Sequence, residues 1–393
     1  MIYPRKILPD LEKQIKSKEI IVLVGMRRVG KTTLYELIFN QIKSSNKVFL
    51  DLENPIDQKI FEETDYNNIW ANLKQYQISS QGKAYIFLDE IQAMPKVIKA
   101  VKYLYDHYQV KFFLTGSSSF YLKNLFPESL AGRKIIFELF PLNFEEFLIF
   151  RNKQKTYYQE FWQKEKNKNL IVFEKLKKLY QEYLEFGGFP EVALAKDYAQ
   201  KKLKLNDIFK SYFEKDIKTL ADFKQINSFR DLILLLMQRT GSKLEISKLA
   251  SEIGVSRETV YSYLAFLQSS YFINLTSPFS RNVDREVSGT KKVYFCDTGI
   301  LNNFAKINEG SLFENAVFNN LKKYGDINYY QKRSGGEIDF IVNKQTAFEV
   351  KLNGTTAGLK KLAKLAKSLG LKKYYLISKR FIKERGFIPA LEL

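Results

Sequence analysis

Eight consecutive residues, Gly25-Met26-Arg27-Arg28-Val29-Gly30-Lys31-Thr32, fit the spacing G-x-x-x-x-G-K-[ST] without a mismatch. That spacing suits a triphosphate. Glycines let the backbone wrap closely, successive N–H groups and the start of the following helix turn positive dipole ends toward phosphate oxygens, and the lysine adds an ammonium group. Lys31 is expected to bridge the β- and γ-phosphates of ATP, and the Thr32 hydroxyl to ligate Mg²⁺. Gly25, Arg27, Arg28, Val29, Gly30, Lys31, Thr32 and Thr33 form the predicted nucleotide-binding set. A plain glycine turn capping a helix would not require the second motif, Tyr85-Ile86-Phe87-Leu88-Asp89-Glu90. This apolar run reads as a buried strand delivering two carboxylates at its C-terminal edge, where ligands of open parallel sheets bind. Asp89 is expected to hold a water on Mg²⁺, and Glu90 to polarise the attacking water. Lys111 to Leu114 repeats the apolar pattern and ends in Thr115-Gly116-Ser117. Thr115 or Ser117 would sense the γ-phosphate, or both would only cap the next helix.

A second constellation lies near the C-terminus. Side chains alternate along a strand, so Glu337, Asp339 and Ile341 share one face while Glu349 and Lys351 share a face of the next strand. If the apolar faces enter one core, a three- or five-residue hairpin loop brings Asp339 near Glu349 and Lys351. Two carboxylates and a lysine could hold Mg²⁺ and orient a water; a hairpin with one wetted face would show the same alternation without chemistry.

The elements that must position these groups can be read from periodicity. Strand-like Ile20 to Val24, helical Lys31 to Ile42, strand-like Val48 to Leu50 and the two strands above alternate as in a parallel sheet with helices on both faces, the P-loop NTPase arrangement, over residues 1–150. A Lys-rich helical segment, 151–230, follows, broken at Gly187-Gly188-Phe189-Pro190 and carrying Asp216 in a polar interruption. Within 231–290, Glu245 to Ile253, the Gly254-Val255-Ser256 turn and Arg257 to Gln268 have helix-turn-helix layout, with a strand at Tyr271 to Leu275 as in a winged helix. Residues 291–393 read helix, three strands, helix, strand: a small α/β domain. The predicted class is α/β, with a helical and winged-helix region between the two sheets.

Composition sets the outer limits. Of 393 residues, 45% are hydrophobic and 27% charged, the balance of an ordered globular chain. Lys plus Arg number 63 against 43 acids, a net charge of +20, which draws polyanions and makes DNA the first macromolecular partner to expect. One cysteine, Cys296, and one histidine, His107, exclude an intrachain disulfide and a Cys/His zinc site, so a metal here must be hard and oxygen-bound. Neither a signal peptide nor an apolar run of membrane-spanning length is apparent, which places the expected location in the cytoplasm, away from membranes.

In this order the motifs resemble those of bacterial and archaeal AAA-type ATPases that carry a C-terminal domain similar to restriction endonucleases. The likeness runs through the Arg-Arg P-loop, Leu88-Asp89-Glu90-Ile91-Gln92, Leu114-Thr115-Gly116-Ser117-Ser118, Leu130-Ala131-Gly132-Arg133, Pro141-Leu142, Gly187-Gly188-Phe189-Pro190, Asp297-Thr298-Gly299 and Glu337-Ile338-Asp339-Phe340. The resemblance implies that Arg133 is a candidate arginine finger reaching a nucleotide across a domain boundary or, in a homo-oligomer, a subunit boundary; a plain surface cation is the other reading. It also implies that Asp339, Glu349 and Lys351 correspond to the D…E-x-K core of restriction-type nucleases, with Glu314 as an additional metal-binding acid. Cleavage retained and cleavage lost both fit such a fold. Arg257 is the one base of the second helix-turn-helix helix, while Arg281, Arg285, Lys291 and Lys292 could form a basic wing. DNA contact and protein docking both remain open for it.

Overall fold

The computed structural model describes residues 3–116, 130–217, 226–332 and 335–393; Ser117 lies outside them. The chain divides into two compact units. The first comprises Met1–Phe140 with two later returns, Ser211–Asp222 and Ser269–Tyr271; the second comprises the rest.

Unit one is built on a five-stranded sheet: β1 (Ile20–Val24), β2 (Lys47–Asp51), β3 (Ala84–Asp89), β4 (Val110–Gly116) and β5 (Lys134–Glu138), in the order β2-β3-β4-β1-β5. Every pairing is parallel. Helices cover both faces, which explains why β1, β3 and β4 are largely apolar. On one side the helix Lys31–Gln41 lays Tyr35 edge-on against Phe87 and Phe113, whose rings stack 4.3 Å apart. The Tyr35 hydroxyl, fully buried, donates to the carbonyls of Ile21 and Leu114. On the other side Val22, Ile86, Leu88, Phe112 and Leu114 pack with Val97, Val101 and Leu104 of the helix Val97–His107. The edge strand β5 is partly exposed along its length.

Unit two holds a second sheet, ordered β12-β11-β10-β9-β8, from β8 (Ile327–Gln331), β9 (Glu337–Val342), β10 (Thr346–Lys351), β11 (Lys373–Ser378) and β12 (Phe387–Pro389). Strands β8, β9 and β10 are antiparallel neighbours; β10, β11 and β12 run parallel. The helix Thr356–Ser368 makes the crossover from β10 to β11 and seals one face with Leu362 and Ala366. The β9–β10 loop has three residues, since Val342 pairs with Thr346.

Before that sheet come the helices Ile246–Ile253 and Arg257–Ser269, with Gly254 left-handed between them at φ 68°. A two-stranded antiparallel ribbon follows, β6 (Ile273–Thr276) with β7 (Lys292–Phe295), and a short helix, Val283–Ser288, lies between its strands. Lys292, expected on an exposed basic wing, is instead buried in β7 and paired with Glu337, because a lysine placed in a strand covered on both faces needs a carboxylate there. Arg281 is exposed and donates to the Leu369 carbonyl at 3.1 Å.

Three of the family-like motifs meet in one buried knot of unit two. Leu142 N–H donates to the Gly188 carbonyl at 2.7 Å, and the Tyr183 hydroxyl to the Leu142 carbonyl at 3.1 Å. Asp297 caps the helix Thr298–Phe304 by accepting from Ile300 N–H, and its other oxygen accepts from Gly188 N–H at 2.6 Å. Burial pushes the Asp297 carboxyl up to about 6 despite these amide donors. A Cβ on Gly188 would stand 2.1 Å from the Leu142 carbonyl oxygen, so this glycine permits backbones to touch.

Candidate functional site

The first candidate site forms where β1, β3 and β4 end side by side. Gly25 follows β1, Asp89 closes β3, and Thr115 lies in β4. A Cβ on Gly25 would fall 2.1 Å from the Leu139 carbonyl oxygen, and Gly30 has φ 97°, so both motif glycines answer a backbone demand. Arg28 and Glu90 also hold left-handed backbones, at φ 64° and 51°, a strained conformation for residues with side chains.

Lys31 is buried and its ammonium group donates to the carbonyls of Gly25 and Met26 at 2.9 and 3.0 Å. Burial lowers its pKa, while Glu90, Asp216 and Asp89 oppose that fall. The Thr32 hydroxyl donates to Asp89 Oδ2 at 2.7 Å, and Thr115 Oγ1 donates to Asp89 Oδ1. Asp89 is raised by burial against these two hydroxyl bonds. Glu90 N–H donates to Thr115 Oγ1 at 3.0 Å, so β4 fixes the turn that aims Glu90, and Gln92 donates to the Glu90 carboxylate. Of the remaining loop residues, Val29 is buried, whereas Arg28 and Thr33 are exposed.

Arg133 lies elsewhere. Its carbonyl accepts from Ile20 N–H at 2.8 Å, which puts it at the start of β1, opposite the end that carries Gly25. Five residues of strand, roughly 16 Å, separate the two ends. Its guanidinium makes a two-pronged pair with Asp106 at 2.8 and 3.2 Å.

The second candidate site lies on the β9–β10 hairpin of unit two. Asp339 Oδ2 accepts from Val350 N–H at 2.7 Å and stands 3.5 Å from the Lys351 ammonium, which is 3.1 Å from Glu349. The Lys351 pKa is lowered by burial but raised on balance by Asp339 and Glu349. Glu314, on the helix Glu309–Leu321, accepts from the Tyr294 hydroxyl at 2.7 Å. Burial, then the Asp339 charge, pushes Glu314 up to about 7. Asp339 is thus brought beside Glu349 and Lys351, with Glu314 in electrostatic reach. Among the described residues, however, no three His, Cys, Asp or Glu side chains converge as a metal-holding group.

Residues 17–148 match the model of an AAA domain, which spans the sheet, the loop and Asp89-Glu90. Residues 177–311 and 309–385 match two domains of unknown function, DUF8612 and DUF4143. The uncharacterized protein MJ1544 of Methanocaldococcus jannaschii is 30% identical over 380 residues, covering 92% of this chain and 82% of the relative. This chain belongs to the MJ1544 family. Another relative, an uncharacterized protein of Haemophilus influenzae, is 28% identical over 361 residues, covering 86% and 85%. Among solved structures, the ADP form of the Aeropyrum pernix ORC2 protein aligns with 70% of this chain and 88% of its own, at 12% identity and a TM-score of 0.37, too low to carry an argument.

Within this MJ1544-family chain, three residues at the loop escaped the sequence reading of the site. Arg5, buried, donates to the Val29 and Phe140 carbonyls at 2.8 and 2.7 Å and so clamps the loop. Glu53 and Asp216 both engage Arg27. Nothing in local spacing links these positions, since Asp216 is 189 residues from Arg27. Among the described residues no helix is long and apolar enough to cross a membrane.

Proposed function

We propose that this protein binds and hydrolyses ATP at the Gly25–Thr32 loop and uses the nucleotide state to direct a nucleic-acid-facing region built from the helix-turn-helix and the β9–β10 hairpin. One observation carries the nucleotide reading: the Thr32 hydroxyl and the Asp89 carboxylate, from motifs 57 residues apart, touch at 2.7 Å beside Glu90. They are hard oxygen donors that suit one Mg²⁺ completed by waters. The bound ion would neutralise charge spread over the β- and γ-phosphates. Lys31, released from the loop carbonyls, binds the phosphates; Thr115 keeps Asp89 and the Glu90 turn in place; Glu90 accepts the proton of the attacking water. Nucleotide affinity and phosphate release, measured with Mg²⁺ on wild type and on Lys31→Ala, test this directly. A wild type that does not bind ATP under these conditions rejects it.

For unit two the arrangement of Asp339, Glu349, Lys351 and Glu314 supports a fold of nuclease type that binds nucleic acid, in keeping with the +20 net charge. Two readings divide here. Cleavage requires Mg²⁺-dependent strand scission that Asp339→Ala abolishes while ATP turnover persists. Binding without cleavage is favoured by the acids not converging on one point. A wild type that cuts no DNA or RNA but retains either leaves the second reading. The helix-turn-helix is placed at that interface if Arg257→Ala and Arg281→Ala weaken DNA binding and reduce its salt dependence.

A further inference from the structure

Arg27, in the middle of the loop, is ringed by acids. Its guanidinium donates to Glu53 Oε1 from both terminal nitrogens at 3.2 Å and from Nε to Asp216 Oδ1 at 3.3 Å, and Glu90 Oε2 stands 3.9 Å away. Glu53 is held in turn by Lys215 at 3.1 Å. Asp216 is only 1% exposed and belongs to a single π-helical turn, Tyr212–Ile217. Such turns interrupt regular helix at a cost and occur often at functional positions. The residues that precede this turn form the helix Tyr198–Ser211, nearly all of it in unit two, whereas the turn itself belongs to unit one. A buried carboxylate aimed at a loop arginine leaves a costly unpaired charge if either partner is withdrawn, so the pair constrains both segments.

We propose that Asp216 is a positioning residue of the nucleotide site: through Arg27 it sets where Glu90 sits, and it passes the occupancy of the γ-phosphate position to the helix Tyr198–Ser211. The proposal rests on the reading of the loop as an ATP site. Arg27 divides its donors between Asp216 and Glu53 and stands in ion-pair reach of a third carboxylate, Glu90. A γ-phosphate beside Lys31 and Thr32 brings anionic oxygens to those donors, so they must be shared anew. Asp216, buried and closer, keeps its hold; Glu90, at the longest contact, is released toward the attacking water. Without the γ-phosphate Glu90 stays tethered.

Steady-state ATP turnover of wild type, Asp216→Asn, Asp216→Glu, Arg27→Gln and the Arg27→Gln/Asp216→Asn double variant tests this, with amide hydrogen exchange of residues 211–217 read with and without ATP. The expected result for Asp216→Asn is a fall in kcat of about tenfold or more with KM within about threefold, and recovery to within about threefold in Asp216→Glu. The double variant should be no slower than Arg27→Gln alone, since both remove one link. ATP should slow exchange at 211–217 in wild type and not in Arg27→Gln. Wild-type turnover in Asp216→Asn, single losses that multiply in the double variant, or an exchange response that survives Arg27→Gln overturns the positioning role and leaves the ATPase reading standing. A wild type that binds no ATP removes both. If Asp216→Asn fails to fold, Asp216→Glu kinetics and the exchange response of Arg27→Gln still decide.

Discussion

Lys31 and Glu90 should fail differently when replaced. In the proposed ATP site Lys31 would hold charge against the phosphates in ground and transition states alike, so Lys31→Ala is expected to weaken Mg·ATP binding and to lower kcat/KM by roughly 100-fold or more. Glu90 would act there on the attacking water, so Glu90→Gln should keep ATP affinity within about threefold while turnover falls by about 100-fold or more. Calorimetric binding beside phosphate release separates the two. Glu314 offers a test at the second site. Its carboxyl is raised to about 7 by burial and then by Asp339. Between its unfolded value near 4.5 and that folded value, the native state keeps a proton that the unfolded chain has released. Stability from this group is therefore intact below about pH 4.5 and lost as pH rises through 7, by on the order of 3 kcal/mol. Chemical denaturation at pH 5.5 and pH 8 should show wild type losing stability at the higher pH, and Glu314→Gln should flatten that slope. A slope unchanged in Glu314→Gln would assign it to other groups, Asp297 among them.

At the level of elements, the sequence made the centre of the first sheet legible because β1, β3 and β4 are buried on both faces and so appear as largely apolar runs ending in motif residues. The hairpin was legible through its period-two alternation, and the three-residue loop does set Asp339 against Glu349 and Lys351. What alternation concealed is that the polar-bearing face of β9 is covered: Asp339 is only 6% exposed. A side chain's neighbours in the third dimension, here the helix Glu309–Leu321 and Tyr294, leave no period in the strand that meets them. The Tyr212–Ile217 turn showed in the sequence only as a polar interruption at Asp216, and its tie to Arg27 left no trace because Arg27 belongs to another segment altogether. Pro141-Leu142, Gly187-Gly188 and Asp297 were recognisable as motifs, but their meaning is architectural: Leu142 and Gly188 join their backbones, and the Asp297 carboxylate holds the Gly188 N–H. Gly188→Ala should accordingly lower the thermal midpoint sharply, by at least about 3 kcal/mol of stability, because the new methyl group collides with the Leu142 carbonyl rather than with a yielding side chain. Thermal unfolding checks this, and an unshifted midpoint would show that the segments separate easily.

For the whole molecule the position of Arg133 is the deciding fact. It sits at the start of β1, a full strand length from the loop of its own chain, so the arginine-finger reading of Arg133 calls for the nucleotide of a second copy. Its present partner, Asp106, does not prevent this: both side chains are about a third exposed, and an ion pair in that setting is worth at most about 1 kcal/mol, well below what a phosphate offers. A contact of this kind is head-to-tail, with the strand-start end of one copy meeting the loop end of the next, and such contacts close into rings or extend as filaments. Complementation between two inactive variants then provides a test that does not depend on knowing the copy number. Arg133→Ala keeps Glu90 but offers no arginine to its neighbour, while Glu90→Gln keeps the arginine but cannot activate water. Mixed in equal amounts with exchange of subunits, roughly a quarter of the interfaces pair a working Glu90 with a working Arg133, and turnover should rise to about that fraction of wild type. No recovery in mixtures shown by size-exclusion chromatography to contain both variants would make Arg133 a surface cation held by Asp106. Full activity of Arg133→Ala by itself would lead to the same conclusion, since no site would then need a guanidinium from outside.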